Sequence, residues 1–266
     1  MTIPSEPPAR DPQSAGDPAA YAITLGHLPA AAVLTAACAG LMAMIFHLGA
    51  GPPVTALILF TLLGGLVAAT TPLPGGGIDA GSRVTLARIA LVCLVGSAIG
   101  VSPAAIGDDL LWALVPIAAV TALLGAADGS IARSTGAVSV FGARLDVETG
   151  ALFILILSVL LWRLDKAGVW VVAIGAMRYA FLAATFAWPA LRGTLPASRR
   201  RQAVHLILIA ALIVALAPVA PPLAAASLAG AALALLVSSF AIDIVWLTRH
   251  GNLRPAGDTP TTQAEQ

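Results

Sequence analysis

Charged residues are scarce in this sequence. Only 10% of its 266 residues are Asp, Glu, Lys or Arg, whereas a soluble globular domain carries about 25%. So few charges could not cover a water-facing surface, and 59% of the residues are hydrophobic. The long, nearly charge-free runs are typical of membrane-spanning segments. The net charge of +1 also excludes the overall basic field that nucleic-acid binding requires.

Cysteine is scarce as well. Cys38 and Cys93 both lie inside apolar runs, which predicts small buried hydrophobic residues rather than a disulfide or a metal site. Residues 1–26 lack the basic region and short apolar core of a signal peptide. Because residues 1–26 and 251–266 are polar and contain several Pro and Ala, we predict two disordered tails.

The apolar runs predict an all-α membrane helix bundle. A helix needs about 20 apolar residues to cross a bilayer core of ~30 Å, and Pro-rich and Gly-rich breaks separate the runs. Eight spans are predicted, at residues 28–49, 54–72, 84–100, 110–129, 142–162, 168–190, 203–218 and 223–247.

The arginines predict the orientation of this bundle. Most of the basic residues fall on the side that holds both termini, only Arg163 and Lys166 fall on the other side, and Arg178 lies inside a span. Because basic loops stay in the cytoplasm, we expect a multi-pass protein of the cell (inner) membrane with both termini cytoplasmic. The arginines on the cytoplasmic side are Arg10, Arg83, Arg88, Arg133, Arg144, Arg192, Arg199, Arg200, Arg201, Arg249 and Arg254.

A charged stretch joins the fourth and fifth spans. Asp128 and Arg133 lie at the cytoplasmic end of the fourth span, and Arg144 and Asp146 lie near the start of the fifth. Ionisable residues at membrane depth favour a functional interpretation. Two carboxylates could hold a hard cation that binds phosphates, although the same residues could equally be ordinary interfacial charges at helix ends.

The stretch resembles the signature of the CDP-alcohol phosphatidyltransferase family. That signature reads D-x-x-D-G-x-x-A-R, then eight residues, then G-x-x-x-D-x-x-x-D. Six of its eight fixed positions match at the right spacing: Asp128, Gly129, Ala132, Arg133, Gly142 and Asp146. Residues 85–88, Thr-Leu-Ala-Arg, also resemble the T-L-x-R opening of the family's first helix.

The resemblance implies a domain organisation and a reaction. Residues 79–250 would form a six-helix family domain, and residues 27–78 would add two transmembrane helices. The substrates would be a CDP-alcohol such as CDP-diacylglycerol and an acceptor alcohol, with release of CMP in phospholipid biosynthesis. Asp128, Gly129, Ala132, Arg133 and Gly142 would bind the nucleotide. The resemblance further implies a homodimer. Membrane lipids would be additional partners.

Two of the four signature aspartates are replaced by glycine, at Gly125 and Gly150. In the family the four aspartates hold two divalent ions and the last is the proposed general base, so no catalytic base can be assigned here. Asp128 and Asp146 could together hold at most one Mg²⁺ or Mn²⁺. Glu148 is a poor substitute, because two residues along a helix is nearly the opposite face.

Two other charged groups allow more than one interpretation. Arg178 lies inside a span, where it could contact the CDP-alcohol or a lipid phosphate, or form a structural ion pair with Asp243. The run Arg199-Arg200-Arg201 could bind an anionic acceptor or lipid headgroups, or it could only set the topology.

Three functional hypotheses follow. The first is a CDP-alcohol phosphotransferase. The second is a catalytically impaired relative that acts as a membrane binding or partner protein, which the two glycines favour. The third, a transporter, lacks support because the sequence shows no inverted repeat.

Overall fold

The computed structural model describes residues 18–70, 80–135, 140–187 and 199–250, and it describes side chains for most but not all of them. These residues form α-helices and short 3₁₀ turns, with no strand among them, which confirms the predicted all-α fold. The α-helices of the described ranges are α1 (Pro18–Ile45), α2 (Gly51–Thr70), α3 (Ala80–Gly96), α4 (Asp108–Thr135), α5 (Val140–Arg163), α6 (Val172–Ala187), α7 (Arg199–Leu216) and α8 (Pro222–His250).

Three helical segments of the described residues are long and apolar enough to cross a membrane. They are Asp108–Ala126 in α4, Leu145–Arg163 in α5 and Pro222–Val245 in α8. Shorter apolar segments occur at Pro29–Ile45, Gly51–Leu66, Leu86–Gly100 and Val169–Phe181. The described residues contain eight α-helices, which agrees with the eight predicted spans, while the number of helices that cross the membrane stays a prediction.

Several helix ends differ from the predicted spans. Helix α1 begins at Pro18, ahead of the predicted start at residue 28, because proline is favoured in the first helical turn and the following alanines are strong helix formers. Helix α8 likewise begins at Pro222. Helix α4 begins with Asp108 and Asp109, whose carboxylates interact favourably with the positive end of the helix dipole.

Residues 1–152 form one of two compact units. Within it α3 packs against α1, α2 and α4, and a buried cluster joins α2, α3 and the first turns of α5. Its members are Phe60, Leu63, Ile89, Cys93 and Leu145. The predicted division into residues 27–78 and 79–250 stays a prediction, but α1 and α2 pack on α3 within this unit.

The two cysteines differ in their burial. Both are free thiols, and Cys93 is buried whereas Cys38 is exposed. The sequence correctly assigned Cys93 to the core and was wrong about Cys38. An apolar run alone cannot distinguish a residue facing lipid from one facing another helix, because both environments favour apolar side chains.

Residues 153–266 form the second unit. Helix α8 packs against both α7 and α6, and the Phe181 and Phe240 rings meet edge to face with centroids 5.6 Å apart. The Lys166 Nζ donates to the carbonyls of Leu216 (3.2 Å) and Ala217 (2.5 Å) at the C-terminal end of α7. It thereby satisfies carbonyl groups that a helix end leaves without intrahelical partners.

Candidate functional site

The signature residues flank the junction of α4 and α5. Asp128, Gly129, Ala132 and Arg133 belong to the last two turns of α4, and Gly142 belongs to the first turn of α5. Their side chains fall outside the part of the structure that is described. The nucleotide-binding roles of these residues, and the metal-binding role of Asp128, therefore stay predictions.

Asp146 is the signature carboxylate whose surroundings are described. It lies in the second turn of α5, and its Oδ1 accepts a hydrogen bond from Nη1 of Arg88 in an ion pair. The Arg88 side chain is only 4% exposed, whereas that of Asp146 is 38% exposed. The ion pair thus joins α3 and α5 through a buried arginine. In the sequence, Arg88 entered only the T-L-x-R resemblance and the prediction of the membrane orientation.

Gly125 in α4 completes this arrangement. A Cβ atom built on Gly125 would lie 2.5 Å from Cζ, 2.6 Å from Nη2 and 2.9 Å from Nε of Arg88. Real Cβ atoms essentially never make such short contacts. The guanidinium of Arg88 therefore fills the space that a side chain at position 125 would need, and this is the position where the signature has its first aspartate.

The remaining part of the signature on α5 has no second carboxylate facing Asp146. Gly150 is buried and has no side chain. Glu148 is 1% exposed and follows Leu145 by three residues, which places it on the buried face of α5. The partial exposure of Asp146 and the burial of Glu148 agree with the expectation that these two carboxylates point in different directions.

Asp243 lies in a separate charged cluster within the second unit. Its Oδ1 accepts hydrogen bonds from Nη2 of Arg200 at 2.5 Å and from Nη1 of Arg201 at 3.4 Å. The structure thus surrounds the Asp243 carboxylate with two arginines that the sequence treated separately, as part of a basic run. Spacing could not find this contact, because Arg200 and Asp243 are 43 residues apart.

A family model described as CDP-alcohol phosphatidyltransferase matches residues 81–242, which is more than half of the chain. The chain belongs to this family. The match begins in α3 and ends in α8, and it confirms the resemblance seen in the signature residues. No curated protein and no solved structure matches the chain.

CDP-alcohol phosphatidyltransferases transfer a phospho-alcohol group in lipid biosynthesis and act in membranes. The three long apolar helices and this family membership together indicate an integral membrane protein. Since α1 and α2 precede residue 81, they lie outside the matched region.

The family is generally dependent on divalent metal ions, so the described residues can be tested for their fit to one. They contain no group of three or more His, Cys, Asp or Glu side chains arranged to hold a metal. Asp146 is already paired with Arg88, and positions 125 and 150 have no ligand atom in a side chain. Among the described residues no set of side-chain ligands for a divalent ion therefore surrounds Asp146, and no specific ion is assigned.

Proposed function

We propose that the protein transfers a phosphatidyl group from a CDP-alcohol such as CDP-diacylglycerol to an acceptor alcohol, with release of CMP, in phospholipid biosynthesis. The observation that carries this proposal is the family match over α3 to α8, together with the signature residues at the α4–α5 junction. The arginine distribution supports a location of this junction on the cytoplasmic side of the cell membrane, where a water-soluble nucleotide product can leave.

The proposed reaction forms one phosphorus–oxygen bond and breaks another. The acceptor hydroxyl oxygen attacks the phosphorus that carries the lipid alcohol, and the bond from this phosphorus to the bridging pyrophosphate oxygen breaks. CMP leaves with the bonding electron pair. Because position 150 is glycine, no carboxylate there can accept the hydroxyl proton, and in our proposal the proton passes to water.

The proposal is tested by measuring CMP release from CDP-diacylglycerol by the full-length protein in detergent, with a panel of alcohols and with Mg²⁺ or Mn²⁺ in the buffer. We expect CMP release that depends on one alcohol. Asp128→Asn should lower it by about 100-fold, because the variant removes a proposed carboxylate ligand of the divalent ion that would neutralise the reacting phosphates. Absence of CMP release with every alcohol would contradict the proposal.

The second candidate is a catalytically impaired family member that binds a nucleotide-lipid or a partner protein in the membrane. It is favoured by the ion pair that Arg88 makes with Asp146 and by the glycines at positions 125 and 150. A combined Gly125→Asp, Gly150→Asp and Arg88→Gln variant should gain CMP release while the natural chain shows none. CMP release by the natural chain would rule this candidate out.

A further inference from the structure

Arg88 is a buried cation within the first unit. It lies in α3 and is followed by core residues, since Ile89 and Val92 are 3% and 0% exposed. Burial of an isolated guanidinium is strongly unfavourable unless a counter-charge lies beside it. Asp146 supplies that counter-charge. Burial of Arg88 at this position of α3 therefore depends on the ion pair with Asp146.

The position of the guanidinium depends on Gly125. Three atoms of Arg88 lie within 2.9 Å of the place where a Cβ on residue 125 would be, so a side chain there would displace the guanidinium. The buried Nε of Arg88 has no hydrogen-bond partner among the described residues. Gly125 in α4 and Arg88 in α3 therefore fit each other sterically. The absence of a side chain at Gly125 leaves the space that the Arg88 guanidinium occupies.

The positive charge of the Arg88 guanidinium disfavours the binding of a second cation beside Asp146. Two positive charges a few ångströms apart repel strongly where the effective dielectric constant is well below that of water. A divalent ion at Asp146 would have to share that carboxylate with the guanidinium, and positions 125 and 150 supply no carboxylate, so Asp128 is the one further signature aspartate. Arg88 is also only 4% exposed, so its charge acts on this carboxylate rather than on a ligand in solution.

We infer that the Arg88 guanidinium is the resident cation of the Asp146 carboxylate and that it excludes a divalent metal ion from this position of the signature. The inference goes beyond the proposed transfer reaction, because it concerns ion binding and does not require that the protein turn over any substrate.

The test is a Mn²⁺ titration of the full-length protein in detergent, with free Mn²⁺ measured by electron paramagnetic resonance. The matched control is the double variant Arg88→Gln and Asp146→Asn, which replaces both charged groups by neutral amides. The natural chain and this control should give the same Mn²⁺ isotherm. Tighter binding by the natural chain would show that Asp146 holds a metal beside Arg88 and would overturn the inference.

A second pair of variants tests whether the guanidinium is what keeps the metal out. Arg88→Gln combined with Gly125→Asp removes the cation and restores a carboxylate, and it should bind Mn²⁺ at least about tenfold more tightly than the natural chain. Adding Asp146→Asn should abolish this gain. Absence of any gain would show that the guanidinium does not control metal access, which would also overturn the inference.

Thermal unfolding provides a measurement that does not depend on the variants folding equally well. A metal that binds only the folded protein raises its melting temperature. The natural chain should therefore melt at the same temperature in Mn²⁺ and in EDTA. A rise in Mn²⁺ that is absent from the Arg88→Gln and Asp146→Asn control would contradict the inference, whether or not the protein releases CMP.

Discussion

The ion pairs of Asp146 and Asp243 differ in which partner is buried. In the first unit the arginine is buried, with Arg88 4% exposed and Asp146 38% exposed. In the second unit the carboxylate is the more buried partner, with Asp243 12% exposed beside Arg200 at 36% and Arg201 at 29%. The same two residue types thus form a site centred on a buried cation in one place and on a buried anion in the other.

This difference decides what happens when a partner is removed. A partly exposed arginine can extend its long side chain towards water, so Arg200 and Arg201 do not depend strongly on Asp243. A buried arginine has no such alternative, and a buried carboxylate has none either. We therefore expect removal of one partner to be strongly destabilising only where the partner that remains is buried.

The largest effect is expected for Asp146→Asn. This change leaves Arg88 buried with no counter-charge, and breaking a buried pair in this way costs about 3–5 kcal/mol of the free energy of unfolding. Chemical unfolding in detergent, monitored by tryptophan fluorescence, measures this loss. The matched control is Asp109→Asn, an exposed residue in the first turn of α4, which should lose about 0.3–1 kcal/mol. Equal losses for the two variants would contradict the importance of Arg88 burial.

A somewhat smaller effect is expected when Arg200→Ala and Arg201→Ala are combined. The double variant leaves Asp243 largely buried without either arginine, and we expect a loss of about 3 kcal/mol. Each single variant keeps one arginine beside the carboxylate and should lose about 1 kcal/mol. The measurement is a double-mutant cycle on the free energy of unfolding. Strict additivity of the two single variants would show that the arginines do not share Asp243.

The smallest of these effects is expected for Gly125→Ala. The added methyl group would meet the guanidinium of Arg88 at 2.5 Å. Because this guanidinium is buried and paired with Asp146, the forced shift should cost about 1–3 kcal/mol. Gly65→Ala in α2 is the control, because a Cβ there has no atom within 4 Å. Replacing a helical glycine by alanine in open space stabilises by about 0.5–1 kcal/mol. Thermal unfolding of both variants checks the opposite signs, and a stabilised Gly125→Ala protein would contradict the proposed fit.

Much of the fold could be predicted from apolar runs and their breaks. The runs between proline-rich and glycine-rich segments became helices, and the signature spacing identified the family. Helix starts were harder to predict, as the early start of α1 at Pro18 shows. Hydropathy marks where a helix is apolar, whereas the hydrogen-bonded helix can extend into less apolar residues that have adequate helix propensity.

By itself the sequence determined the helical class, the family and the absence of carboxylates at Gly125 and Gly150. Only the tertiary structure decided what occupies the space beside Gly125. Arg88 and Asp146 are 58 residues apart, and helical periodicity orients residues along one helix without saying which side chains meet between helices. The packing of α3 against α4, together with the missing side chain at Gly125, placed a guanidinium where the family's signature has a carboxylate.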